Sequence, residues 1–241
     1  MRCKLTISYN GAQFMGSQQQ SNTKNTVLGC FGDALHSLKI SSKIIASGRT
    51  DRGVHATGQV LHVDLPPFWD NLEKLKQSLS YQLPASIHVK KIEAVNEAFH
   101  ARYSAKKRVY RYILCEGESN PFENEFITFV QKLDFNKITH AIKLFEGTHN
   151  FEMFKKNGSE VTNYERTIYR ASAYRHKKYT ILHFEANGYL RSQIRMMVSF
   201  LIHISDGKLN QNDLLEQITC KKRHLTRLAP HNGLYLAKIK Y

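Results

Sequence analysis

Apolar and polar positions alternate along this chain with two different periods, and the switches between them predict its elements. Cys3 to Tyr9 alternates with period two, as a strand with one buried face does, and Asn10-Gly11 follows as a turn. After a polar loop at Thr23 to Asn25 the period becomes helical from Val27 to Leu38: Val27, Leu28, Phe31, Ala34, Leu35 and Leu38 share one face, and Thr26 is placed to cap it. Lys43 to Ala46 reads as a short strand. Gln59 to Leu65 reads as a half-buried one, with Leu61, Val63 and Leu65 opposite Val60, His62 and Asp64, closed by Pro66-Pro67. Asn71 to Leu83 is helical through Leu72, Leu75, Leu79 and Leu83, Pro84 ends it, and Ile87 to Val95 returns as a strand. This β-α-β-β-α-β order, in about the first 100 residues, is the split ferredoxin-like arrangement.

The same order recurs. Ser104 to Leu114 is a long strand, Asp134 to Phe145 a helix capped by Asp134, and Thr167 to His176 with Tyr179 to Ala186 a strand pair. Asn187 to Ser205 is a helix carrying Ile194, Met197, Val198, Leu201 and Ile202. A short helix near Asp213 to Ile218, a basic run Lys221-Lys222-Arg223-His224 and a closing strand Leu234 to Tyr241 complete the chain. No residue-by-residue repeat accompanies the repeated order. The expectation is an α+β protein of two ferredoxin-like halves, 1–103 and 104–241, meeting near Ala101 to Lys107 without a flexible linker and sharing one extended antiparallel sheet.

Charge adds a partner class. Lys and Arg exceed Asp and Glu by 15, which fits either a polyanion partner or a generally basic proteome. No apolar run approaches a membrane span, and Met1 to Tyr9 is a strand pattern rather than a signal peptide, so a soluble, cytoplasmic protein with no membrane partner is expected. The four cysteines (Cys3, Cys30, Cys115, Cys220) lie far apart and the twelve histidines are scattered, so neither a disulfide framework nor a metal site is expected.

Candidate chemistry concentrates in Ser47 to Gln59. Gly48, Gly53 and Gly58 let this loop bend sharply, and within it lies one carboxylate, Asp51, between Arg49 and Arg52. Two readings stand: a loop aspartate capping its own backbone, or a catalytic acid mounted between two strands. The segment Lys106-Lys107-Arg108-Val109-Tyr110-Arg111-Tyr112 sends Tyr110 and Tyr112 to one face of a basic strand. That suits base stacking beside phosphate contacts, or equally a core tyrosine pair. Arg191 and Arg195, four apart on the expected helix, either meet a buried carboxylate or face solvent. Lys155-Lys156-Asn157-Gly158 is a basic turn suited to phosphate or to nothing in particular, and Gly233-Leu234-Tyr235-Leu236 alone says only turn plus strand.

Taken together these stretches resemble the tRNA pseudouridine synthase A family over nearly the whole chain. The strongest piece is Gly48-Arg49-Thr50-Asp51-Arg52-Gly53-Val54-His55-Ala56. Tyr9-Asn10-Gly11 with Gly16-Ser17-Gln18, Phe99-His100-Ala101-Arg102-Tyr103-Ser104-Ala105, Tyr110-Arg111-Tyr112, Asn187-Gly188-Tyr189 to Arg195, and Gly233-Leu234-Tyr235-Leu236 support it. The chain departs from the family pattern at Asn10 (usually Asp), Ser17 (usually Trp), Arg52 (usually Ala), Ile194 (usually Met) and Ser199 (usually Gly).

The resemblance implies a cleft between the two halves, with helices on one face of the sheet. It implies isomerisation of uridine to pseudouridine at positions 38, 39 and 40 of the tRNA anticodon stem-loop, with no cofactor or metal. It makes Asp51 the nucleophile, with Arg195 facing it and Arg49 holding the loop and the flipped nucleotide. Tyr110 stacks on the uracil. Arg52, His55, Lys106, Arg108, Lys155 and Lys156 are the expected further substrate contacts, and a homodimer grips the tRNA body with one subunit while the other receives the uridine. The residues also admit a non-catalytic RNA-binding module with a basic aromatic sheet. A hydrolase working through Asp51 with His55 or His62 would want a second carboxylate or a metal cluster, and the Asp51 loop has neither.

Overall fold

The chain alternates strands and helices in the order β1 (Arg2–Tyr9), α1 (Val27–Ser37), β2 (Ile45–Ala46), β3 (His55–Asp64), α2 (Leu72–Gln82), β4 (Ile87–Ala94), β5 (Lys107–Glu116), β6 (Thr128–Val130), α3 (Phe135–Lys143), β7 (Gly147–Asn150), β8 (Glu165–His176), β9 (Tyr179–Ala186), α4 (Gln193–Ser205), α5 (Gln211–Ile218) and β10 (Leu234–Lys240). The computed structural model describes residues 1–156, 158 and 161–241. The fold is α+β. It divides into two units, Met1–Lys106 with Tyr235–Tyr241, and Lys107–Leu234. The expected halves, 1–103 and 104–241, differ from this chiefly at the final strand, which returns to the first unit.

In the first unit the strand order is β4-β1-β3-β10. β1 pairs antiparallel with β3 and β4, and the free edge of β3 is shared: β10 pairs in parallel with its start (Tyr235 opposite His55), β2 antiparallel with its end (Ile45 opposite His62). Thr26 and Asn71 cap α1 and α2 with their side chains, as their positions at the starts of the apolar stripes require.

β3 departs from the expected alternation. It begins at His55, inside the glycine-rich stretch, and is buried on both faces for most of its length. Polar side chains on both of its faces are covered because they have partners: His62 Nδ1 accepts from Ala101 N–H at 3.1 Å, and on the opposite face the Gln59 carboxamide bonds Ser47 and the Gly48 carbonyl. Burying such groups is tolerable only when they are hydrogen-bonded. Gly58 is required within β3, since a Cβ there would lie 2.3 Å from the Ala237 carbonyl oxygen on β10.

The second unit has the order β5-β9-β8-β7, with β6 beside β5 in parallel. β6 and β7, of three and four residues, carry too little periodicity to be read from sequence. Its core gathers Phe145, Phe151, Phe154 and Phe200, all fully buried. Asp134 caps α3 as expected. α4 starts at Gln193 rather than Asn187, because Ser192 adopts the left-handed conformation (φ 57°) and separates the preceding loop from the helix. Among the described residues no helix is long and apolar enough to cross a membrane.

Candidate active site

The loop carrying Asp51 is held from both sides. Before it, Ser47 Oγ donates to Gln59 Oε1 at 2.7 Å and Gln59 Nε2 donates to the Gly48 carbonyl at 2.9 Å. Immediately before the acid, Thr50 is clamped by Ser17, whose hydroxyl accepts from Thr50 N–H at 2.8 Å and whose own N–H donates to the Thr50 carbonyl at 3.1 Å. Tyr9 Oη and Thr50 Oγ1 lie 2.8 Å apart, and burial pushes the Tyr9 phenol up to about 12. After the acid, the Asp51 carbonyl accepts from Val54 N–H at 3.1 Å, closing a turn that Gly53 makes possible at φ 76°. Asp51 itself is half-buried, while Arg49 and Arg52 are exposed. Ser17, one of the departures from the family pattern, is thus part of the frame around the acid.

His55 is 1 % exposed. Its Nδ1 accepts from Gly11 N–H at 3.0 Å and its ring stacks on Tyr235 at 4.7 Å. Expected as a substrate contact, it is buried in contacts that fasten the end of the Asp51 loop to the turn after β1 and to β10. Gly11 is obligatory there, since a Cβ would meet the Val54 carbonyl oxygen at 2.1 Å. Lys106 is exposed at the end of the first unit.

In the second unit the tyrosines of β5 part company. Tyr112 is fully buried, its hydroxyl 2.8 Å from Thr128 Oγ1 and donating to the Pro230 carbonyl at 2.7 Å, so for it the core reading holds. Tyr110 remains half-buried, with the Tyr189 ring edge-on at 5.3 Å between centroids. Nearby, Arg108 donates to the Asn187 carbonyl at 2.7 Å. Arg166 lies beside Gly188, and its pKa is lowered by burial and then by the charge of Arg108, so two guanidinium groups crowd one loop. Lys107 pairs with Glu185 at 2.9 Å.

Arg195 lies in the first turn of α4, half-buried, and donates from Nε to the Ala229 carbonyl at 2.8 Å. Arg191 does not share its helical face: it lies before the helix and reaches the Gly158 carbonyl at 3.2 Å. A cleft of about 330 Å³ is lined by Met153, Lys155, Lys156, Met196, Arg223, Thr226 and Leu228. It brings Lys155 and Lys156 together with an arginine of the basic run; Asn157 of the expected basic turn falls outside the described residues. Lys155 also rests over the Tyr164 ring at 5.0 Å.

Several residues that build these sites gave little signal in sequence. Gln217 is fully buried, and its carboxamide donates to the carbonyls of Met153 and Leu225 while accepting from the N–H groups of His224 and Leu225, so it anchors the segment leading to Ala229. His224, expected among scattered histidines, lies between Glu216 at 2.7 Å and Asp213 at 3.5 Å. Those three donors fall within 4.8 Å of one another, and since each ring nitrogen faces a different carboxylate the histidine acts as a clip on the basic run. The cysteines are all free, and burial pushes Cys3, Cys30 and Cys115 up.

A sequence model described as tRNA pseudouridine synthase matches residues 5–104 and 141–241 of the chain. A protein named tRNA pseudouridine synthase A from Campylobacter jejuni subsp. jejuni serotype O:6 is 38% identical over 241 residues, covering 100% of both chains. One of the same name from Helicobacter pylori is 40% identical over 248 residues, again covering 100% of both. The corresponding protein of Wolinella succinogenes is 36% identical over 235 residues, 98% of this chain and 92% of that one.

Proposed function

The chain belongs to the tRNA pseudouridine synthase family, and from that premise we propose that it isomerises uridines 38, 39 and 40 of the tRNA anticodon stem-loop, with Asp51 as the nucleophilic carboxylate. In this isomerisation the C1′–N1 bond breaks, the uracil turns in place, and C5 joins C1′. The proton lost from C5 is balanced by one gained at N1, so no redox partner or group donor is consumed.

The reaction needs an ionised carboxylate held at a fixed position against the sugar or base, since positioning and preorganised charge carry most of such a barrier. The observation that supports Asp51 in this role is its frame: Thr50 is clamped by Ser17 and Tyr9, and the Asp51 turn is closed onto Val54. In the proposal Arg195 offsets the desolvation of the carboxylate, Arg49 holds the extruded nucleotide, and Tyr110 stacks on the uracil. The target lies in a paired stem and must be flipped out before the acid reaches it. Arg52, Lys106, Arg108, Lys155 and Lys156 are assigned to the RNA backbone, where cations supply affinity without reading sequence. His55 is assigned to holding the loop. The protein acts as a homodimer, one subunit gripping the tRNA body while the other receives the uridine.

The test uses anticodon stem-loop tRNA transcripts carrying a single uridine at 38, 39 or 40. Pseudouridine is mapped by carbodiimide-dependent stops in reverse transcription. Conversion at each of the three positions supports the proposal, and conversion at none of them refutes it.

A further inference from the structure

Among the described residues one buried side-chain polar atom has no hydrogen-bond partner, the hydroxyl of Tyr189. It belongs to the loop just before α4, and its ring meets that of Tyr110 edge-on, with 5.3 Å between centroids and an interplanar angle of 83°. Burial, followed by the charges of Tyr110 and Glu185, holds this phenol well above its ordinary pKa, so it stays a neutral donor. Glu185 is itself engaged by Lys107 at 2.9 Å. A buried hydroxyl without an acceptor costs stability, and phenylalanine would fill the same shape without that cost. The hydroxyl therefore calls for a partner that the free protein does not contain.

We propose that Tyr189 is a further substrate-contacting residue, whose hydroxyl donates to a carbonyl oxygen of the uracil once the base lies against Tyr110. This rests on the reading of Tyr110 as the stacking ring given above. The chemistry fits: uracil carries two carbonyl acceptors, and a neutral phenol can meet one in a buried site where a charged donor would pay heavily for desolvation. Since the bond forms only with the flipped base, it acts on the reacting nucleotide and leaves docking of the tRNA body to the basic surface.

The experiment is Tyr189→Phe, measured for melting temperature and for the single-turnover rate of tritium release from C5 of uracil-labelled tRNA at saturating enzyme. The expected result is an unchanged or raised melting temperature with a rate that falls about tenfold or more. A rate within twofold of wild type overturns the inference, and so does a lowered melting temperature, which would place the hydroxyl's partner inside the free protein. Wild type releasing no tritium would overturn the isomerase reading as well, whereas an active wild type with an equally active Tyr189→Phe overturns this inference alone.

Discussion

Arg195 and Ala229 hold each other twice: the guanidinium Nε donates to the Ala229 carbonyl at 2.8 Å, and the Arg195 carbonyl accepts from Ala229 N–H at 3.0 Å. The pair fixes the first turn of α4 to the segment before β10, and it fixes the direction in which the rest of the guanidinium points. Lysine keeps the charge but has no Nε fork, so it cannot make that bond and aim a second one. Arg195→Lys is expected to lower kcat/KM for tRNA about 10–100-fold, the scale of a lost charge-assisted hydrogen bond, with only a small change in melting temperature. Steady-state kinetics beside a thermal melt check this.

Gly11 tests the frame around the acid. A Cβ at this position would lie 2.1 Å from the Val54 carbonyl oxygen, a backbone atom at the end of the turn that Asp51 opens. Gly11→Ala must push Val54 and the His55 contact away, at a cost of about 1–3 kcal/mol typical of overpacking. Turnover is expected to fall further than the loss of folded protein accounts for, because the turn carrying Asp51 moves with Val54. Comparing activity per folded molecule, counted by circular dichroism, separates the two effects.

The pH dependence of stability follows from buried neutral groups. Burial pushes Tyr9 up to about 12 and raises Tyr112, Tyr189 and Tyr235 as well. Above the unfolded tyrosine pKa of about 10 the unfolded chain has lost protons that the folded chain keeps, so stability falls as pH rises from there through the folded values. At the acid side His62 is lowered, first by burial and then by the charges of His100 and Arg2. The unfolded chain then binds a proton near pH 6.5 that the folded chain refuses, so this contribution is lost as pH falls below about 6.5. Urea midpoints between pH 5 and 11 are expected to decline at both ends.

Most of the fold was legible in the sequence because its strands and helices carry strong periodicity and clear caps. Thr26 and Asp134 cap the helices expected of them, and Asn71, expected as the first residue of the second helix, is its cap. β3 misled because its alternation reads as one buried and one wet face, whereas His62 on the expected wet face is covered through a partner far away in sequence. The start of α4 misled because Ser192 in the left-handed region breaks a pattern that reads as continuous helix. Of the site, the Asp51 loop stood out through its glycines; Ser17, Gln59 and Tyr235 fell inside quoted motifs without their contacts being legible, and Gln217 gave no signal. Each works through one or two hydrogen bonds or a ring contact, and no periodicity marks such positions.

The proposed isomerisation depends on the Asp51 carboxylate. Uracil C5 must lose its hydrogen when C5 joins C1′, so tRNA tritiated at C5 reports the reaction directly, and binding alone releases nothing. The prediction is that wild type releases the label, while Asp51→Asn, folded and still bound to tRNA, releases it on the order of 10³-fold or more slowly, the scale on which loss of a catalytic nucleophile acts. Release by Asp51→Asn at a rate near that of wild type would contradict the account.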